Sequence, residues 1–201
     1  MPSTINASTS SGIVQTADTS GILELQSAGT TKLTIASTGA YGQLVSGTAV
    51  ASTSGTSIDF TGIPSWVKRI TVMFNGVSTN GTSILQVQLG AGSVTTSGYL
   101  GGYIQAGSGS AVTLAGLTTG YIVGTPTAAT ATFQGALIIN LLSASTNTWA
   151  DIGNIADNTN QRFWSSSGTV SLSGTLDRIR ITTVNGTDTF DAGSINILYE
   201  G

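Results

Sequence analysis

The chain has 201 residues, enough for one well-buried core, or for one domain with an extension. Only 7% of residues are charged, against about 25% in ordinary domains, and the formal net charge of −3 provides no basic stripe to neutralise phosphates, which argues against a nucleic-acid binder. Cysteine and histidine are both absent, which excludes disulfides, thiol chemistry, Ser-His-Asp and Cys-His triads and the usual zinc sites.

The charge deficit is filled by Ser, Thr, Asn and 27 Gly, residues suited to strand surfaces, tight turns and close chain-to-chain contact. Met1-Pro2-Ser3-Thr4 lacks the basic and apolar regions of a signal peptide, and no run of 18 apolar residues suggests membrane insertion. The expectation is synthesis in a cytoplasm and release by lysis or within a particle. Residues 1–12 carry little apolar pattern and read as an extended arm. Short strand patterns follow at 12–15, 22–26 and 32–35, separated by the turn sequences Asp18-Thr19-Ser20-Gly21 and Ala28-Gly29-Thr30-Thr31. Such strands cannot close a core by themselves. Ile13, Val14, Ile22, Leu23, Leu25, Leu33 and Ile35 are therefore expected to bury against equivalent chains or another protein. Residues 1–48 read as an anchoring and oligomerising segment, and 49–201 as a β-sandwich of jelly-roll type.

The second part is organised around residues 57–79. Ile58 and Phe60 alternate with polar neighbours, and Gly62-Ile63-Pro64 makes a corner because proline fixes its own φ and biases Ile63 toward an extended conformation. Ile70, Val72 and Phe74 then share one face of a strand, and Asn75-Gly76 predicts a turn. Residues 84–90 alternate cleanly, 99–104 and 121–123 are further strand candidates, and the apolar run 135–142 predicts a central strand buried on both faces. Strands at 178–184 and 194–199 flank the connection 185–193. The expected interior is Ile70, Val72, Phe74, Leu85, Val87, Leu89, Leu137, Ile139, Ile179, Ile181, Ile195 and Ile197. No helical period persists beyond two turns, so the chain is predicted to be all-β.

Chemistry without His or Cys is limited to carboxylates. Asp151, Asp157, Asp188 and Asp191 are the candidates, and a glycosidase would need two of them to converge on one bond. Capping of turns by Asx hydrogen bonds explains the same residues more simply. Asp157-Asn158-Thr159-Asn160 and Asp188-Thr189-Phe190-Asp191 supply oxygens for calcium but match no known loop spacing. No metal or cofactor is therefore expected, and no enzymatic activity. Tyr99, Tyr103, Tyr121, Trp149 and Trp164, with Phe163, fall in or beside polar sequence, where an exposed ring could stack on a host glycan.

Asp59-Phe60-Thr61-Gly62-Ile63-Pro64-Ser65-Trp66-Val67-Lys68-Arg69-Ile70-Thr71-Val72-Met73-Phe74, then Gly98-Tyr99-Leu100, then residues 182–200 from Thr182-Thr183-Val184-Asn185-Gly186 to Ile195-Asn196-Ile197-Leu198-Tyr199-Glu200, resemble a β-domain found at the C-terminal ends of bacteriophage tail-fibre and other virion surface proteins. The segment with Ile13 to Ile35 is similar to stretches near the N-termini of phage fibre and capsid-associated proteins. The resemblance implies a setting at the virion surface, with tail or capsid proteins as partners, and no catalytic or binding residues. A short trimeric tail fibre or fibre tip for host attachment is the leading expectation, the trimer resting on analogy with phage fibres. A capsid decoration, cement or head-fibre protein is the alternative, and a carbohydrate-binding or carbohydrate-processing protein is the second.

Overall fold

A computed structural model describes residues 23–35 and 44–201, and among them every regular element is a strand. The chain divides into two compact units, Met1–Gly42 and Gln43–Gly201. In the first, β1 (Leu23–Ser27) and β2 (Thr30–Ile35) form an antiparallel hairpin that sets Leu23 opposite Ile35 and Leu25 opposite Leu33. Ile13, Val14 and Ile22 lie outside the described residues. The division falls earlier than residue 48 because the first strand of the second unit already belongs to its sheet.

That unit contains β3 (Leu44–Ser46), β4 (Val50–Ala51), β5 (Ser57–Thr61), β6 (Arg69–Thr79), β7 (Leu85–Ala91), β8 (Ser93–Val94), β9 (Leu100–Gly107), β10 (Ser110–Gly116), β11 (Tyr121–Gly124), β12 (Phe133–Ser143), β13 (Thr148–Asp157), β14 (Arg162–Ser171), β15 (Arg178–Thr183) and β16 (Phe190–Glu200). They form two antiparallel sheets. The larger runs β10-β9-β14-β13-β12-β6-β16-β3 with β4 also on β16, and the smaller runs β11-β7-β15-β5 with β8 on β7. The corner at Gly62-Ile63-Pro64 carries the chain from β5 in the small sheet to β6 in the large one. All twelve side chains expected inside are buried in a single cluster between the sheets. Ile70, Val72, Leu137 and Ile139 of the large sheet face Leu85, Val87, Leu89, Ile179 and Ile181 of the small one, and burying each contributes roughly 1.5–3 kcal/mol.

Two expectations about strands are corrected. Asn75-Gly76 does not turn the chain. β6 runs through it as a bulge, with Gly76 at φ +63°, and its pairing shifts register against both β12 and β16. The kink is tolerated because glycine also stands on the flanking strands, Gly135 at φ +133° and Gly193 at φ +90°. A Cβ at Gly193 would run into the backbone of Gly76. The run 135–142 does form a central strand, β12, but only one of its faces is buried. Leu137 and Ile139 point inward, while Ile138 and Leu142 are exposed.

Two substitutions test this arrangement. Ile139→Ala should lower the stability of the second unit by about 2–5 kcal/mol in urea unfolding. Gly193→Ala, adding a Cβ where φ is positive and the opposing backbone is close, should cost about 1 kcal/mol or more. Melting curves unchanged in both variants would contradict the core and the bulge.

Candidate functional site

The aromatic residues expected to meet a glycan are placed mainly inside. Tyr99, Tyr121, Trp149 and Trp164 are all buried, and only Tyr103 is partly accessible, itself packed against the core. The correction has a clear cause: β13 and β14 are long strands, and Trp149 and Trp164 occupy their inward positions. Tyr99 and Tyr121 meet edge to face, with ring centroids 5.0 Å apart at 89°. The Tyr99 hydroxyl accepts from the Leu89 amide at 2.7 Å and donates to the Thr95 carbonyl at 3.2 Å. The Tyr121 hydroxyl donates to the Trp149 carbonyl at 2.9 Å. The Trp164 indole donates to Gln105 Oε1 at 3.1 Å, and its ring lies 5.5 Å from that of Phe133. Tyr121 ties β11 of the small sheet to β13 of the large one and Tyr99, just before β9, ties to β7, whereas the Trp164 contacts lie within the large sheet. Among the described residues Phe163, one position from Trp164, is the exposed aromatic side chain, at 46% exposure.

The aspartates divide by role. Asp157 is buried and accepts from the amides of Thr132, Thr159 and Asn160 and from the Asn160 side chain, the last at 2.7 Å, so it fixes the β13–β14 turn. Asp188 accepts from the Ser83 amide at 3.0 Å and from Asn185 Nδ2 at 2.6 Å, tying two loops together. Asp191 is exposed on β16. Asp151 and Asp157 share the inner face of β13, six positions and about 20 Å apart at ordinary strand rise. That separation exceeds the roughly 5–9.5 Å that a glycosidase pair requires. Among the described residues no three acidic side chains gather into a metal-binding group.

Asp151 is the anomaly. It points into the core beside Tyr99, Tyr121 and Ser166, where a cavity of about 10 Å³ gives room for about one water. Ser166 Oγ donates to Oδ2 at 3.5 Å, and Oδ1 has no hydrogen-bond partner in the protein. Burial pushes the carboxyl up to about 7, with the Ser166 hydrogen bond opposing the shift. Burial likewise raises both neighbouring phenols, and the Asp151 charge raises that of Tyr121 further. At low pH the pocket therefore holds a neutral acid between two neutral phenols.

Two surface grooves complete the inventory. One, of about 300 Å³, crosses the outside of the small sheet and is lined by Ser57, Gln88, Thr119, Arg180 and Thr182 among others. Its polar groups are largely engaged already. Gln86 and Gln88 bond to Thr119, Thr182 donates to the Thr56 carbonyl, and Arg180 grips Asp59 through two bonds of 2.7 and 2.8 Å. The other, of about 360 Å³, lies on the outside of the large sheet between Ile104 with Leu114 and Ile152, over a floor of Gly102 and Ser167. No sequence expectation identified it. The signal was the apolar residue at outward positions of β9, β10 and β13. No family model, curated protein or solved structure matches the chain.

A pH prediction follows from Asp151. The folded state keeps its proton to about pH 7, whereas the unfolded chain releases it near the ordinary value of 3.8. Its contribution to stability should thus fall as pH rises from about 4 to about 7 and level off above. Asp151→Asn should raise the melting temperature at pH 8 relative to wild type and flatten that slope. Parallel pH profiles for the two proteins would contradict the buried-acid assignment.

Proposed function

We propose that this chain is a structural protein of a bacteriophage particle surface, a short fibre or fibre tip for host attachment that works as a homo-oligomer without catalysing a reaction. The observation that carries the reading is the spatial union of the two sequence blocks that resemble virion surface domains. Residues 59–74 supply the end of β5 and the first half of β6, and residues 182–200 supply the end of β15 and all of β16. In the small sheet β15 and β5 pair through residues at the edges of these blocks, with Arg180 opposite Asp59. β16 pairs with β6 in the large one, placing Ile195 opposite Phe74. Blocks more than a hundred positions apart in sequence are thus hydrogen-bonded neighbours in the large sheet. Tyr99, from the short third block, anchors in the same core through Leu89.

Composition supports the same reading. The chain achieves its core without disulfides and carries few charges, as suits a protein stabilised by burial and by assembly. A trimer, bound through the first 48 residues, is the copy number favoured by analogy with phage fibres; it would also raise avidity for a weakly held host glycan.

The test is to locate the chain on intact particles of a phage that encodes it, by antibody labelling and by counting copies per particle. Label at the tail, in copy number tracking the tail, is the expected result. Label over the head, tracking the major capsid protein, would replace the fibre reading with a decoration protein. Absence from particles, or depolymerisation of host polysaccharide by the purified chain, would overturn the structural assignment.

A further inference from the structure

The two outer faces of the sandwich have opposite chemistry. Outside the small sheet stand Arg178, Arg180, Asp59 and Asp177 in paired contacts, with the engaged glutamines between. Outside the large sheet, from β12 across to β10, no outward position carries a charge, because the sequence has no charged residue between Arg69 and Asp151, and the aspartates of β13 and Arg162 of β14 stand at inward positions. Register places Leu114 beside Ile104 on one side and Ile152 beside Ile138 on the other, with Ser165 and Ser167 of β14 between. The face is therefore two apolar ridges along a groove floored by serine and glycine. Leu100 and Phe163 extend it along β9 and β14, and the Arg69–Glu200 ion pair marks its charged rim.

Exposures run from 37% at Ile138 to 76% at Leu114. Six such side chains leave on the order of 600 Å² of apolar surface, at the limit of the ~300–600 Å² largest patch of an ordinary monomer. With the serines and glycines between them, the face reaches the scale of the ~800 Å² that each partner gives to a standard interface.

We propose that this face is a self-association surface on which a second copy of the same chain docks. An uncharged ridge-groove-ridge surface is matched by another of its kind, since a two-fold rotation seats the ridge of each copy in the groove of the other. The net charge of −3 does not oppose the contact, because the charges lie elsewhere. A charged partner such as nucleic acid would find no group here to pair with. The inference does not rest on the virion reading, and it places a contact between copies in the sandwich, apart from the N-terminal segment.

The chain has no cysteine, so single cysteines report cleanly. Ile104→Cys and Ile152→Cys, with Thr61→Cys on the outside of the small sheet as reference, would be labelled with a maleimide in the full-length protein across a range of concentrations. At high concentration the two face positions should label about tenfold more slowly than position 61. That protection should disappear on dilution. In parallel, Ile104→Lys combined with Ile152→Lys should reduce the mass seen in sedimentation without lowering the melting temperature, since both residues point outward. Protection that survives dilution would mean that the chain covers the face with its own segment, and would overturn the proposal. Equal labelling at all concentrations, or an unchanged mass in the double variant, would overturn it as well.

Discussion

Strand β6 is hydrogen-bonded to β12 on one side and to β16 on the other, while Ile70, Val72, Phe74 and Val77 press from it toward the small sheet. This double attachment inside the larger sheet is what the remainder depends on. The strand before it, β5, lies in the opposite sheet, so the Gly62-Ile63-Pro64 corner fixes both the spacing of the layers and the face of β6 that is buried. A slip of one residue at that corner would turn Ile70, Val72 and Phe74 out to solvent. Val67 and Ile63, buried in the corner itself, oppose such a slip, as does the hydrogen bond from the Lys68 amide to the Glu200 carbonyl.

The sandwich is unusual in which residues it turns inward. Along β13 the inner positions are Trp149, Asp151, Gly153, Ile155 and Asp157, and the outer ones include Ala150, Ile152 and Ala156. Two carboxylates inside and an isoleucine outside reverse the usual pattern. Asp157 is compensated by four hydrogen-bond donors at a turn. Asp151 is not, and its proton affinity records the cost of its burial.

That reversal explains what could be read from the sequence. β6 up to Phe74, β7, β15 and β16 from Ile195 keep inward apolar residues at strict alternation, so their existence and their core side chains were legible. β13 and β14 were not, since Asp, Gly, Arg and Ser on their inward faces break the period that identifies a strand. With those strands missed, Trp149 and Trp164 read as loop rings available to a sugar. Gly76 illustrates a different limit. Asn-Gly signals a positive φ correctly, but whether that φ makes a turn or a bulge depends on glycines at 135 and 193, which are distant in sequence. The apolar groove was invisible for a third reason: it is assembled from β9, β10, β13 and β14, no two of whose exposed residues make a pattern alone.

The β9–β10 hairpin is where the proposed self-association would meet the fold. The large sheet extends beyond the small one at this end, and every residue of β10 is exposed, including Thr113 and Ala115 on the side that elsewhere faces the core. β10 is also an edge strand without proline or charge, lacking the devices that commonly discourage edge contacts. With both of its faces in water, β10 gains little from the sandwich, since β9 alone ties it to the sheet. Covering Leu114 and Ile104 with a second copy would bury the hairpin on one face and add the apolar area that the fold does not provide. The hairpin is therefore the part of the domain whose order should be coupled most closely to association, while the centre around β6 holds independently of it.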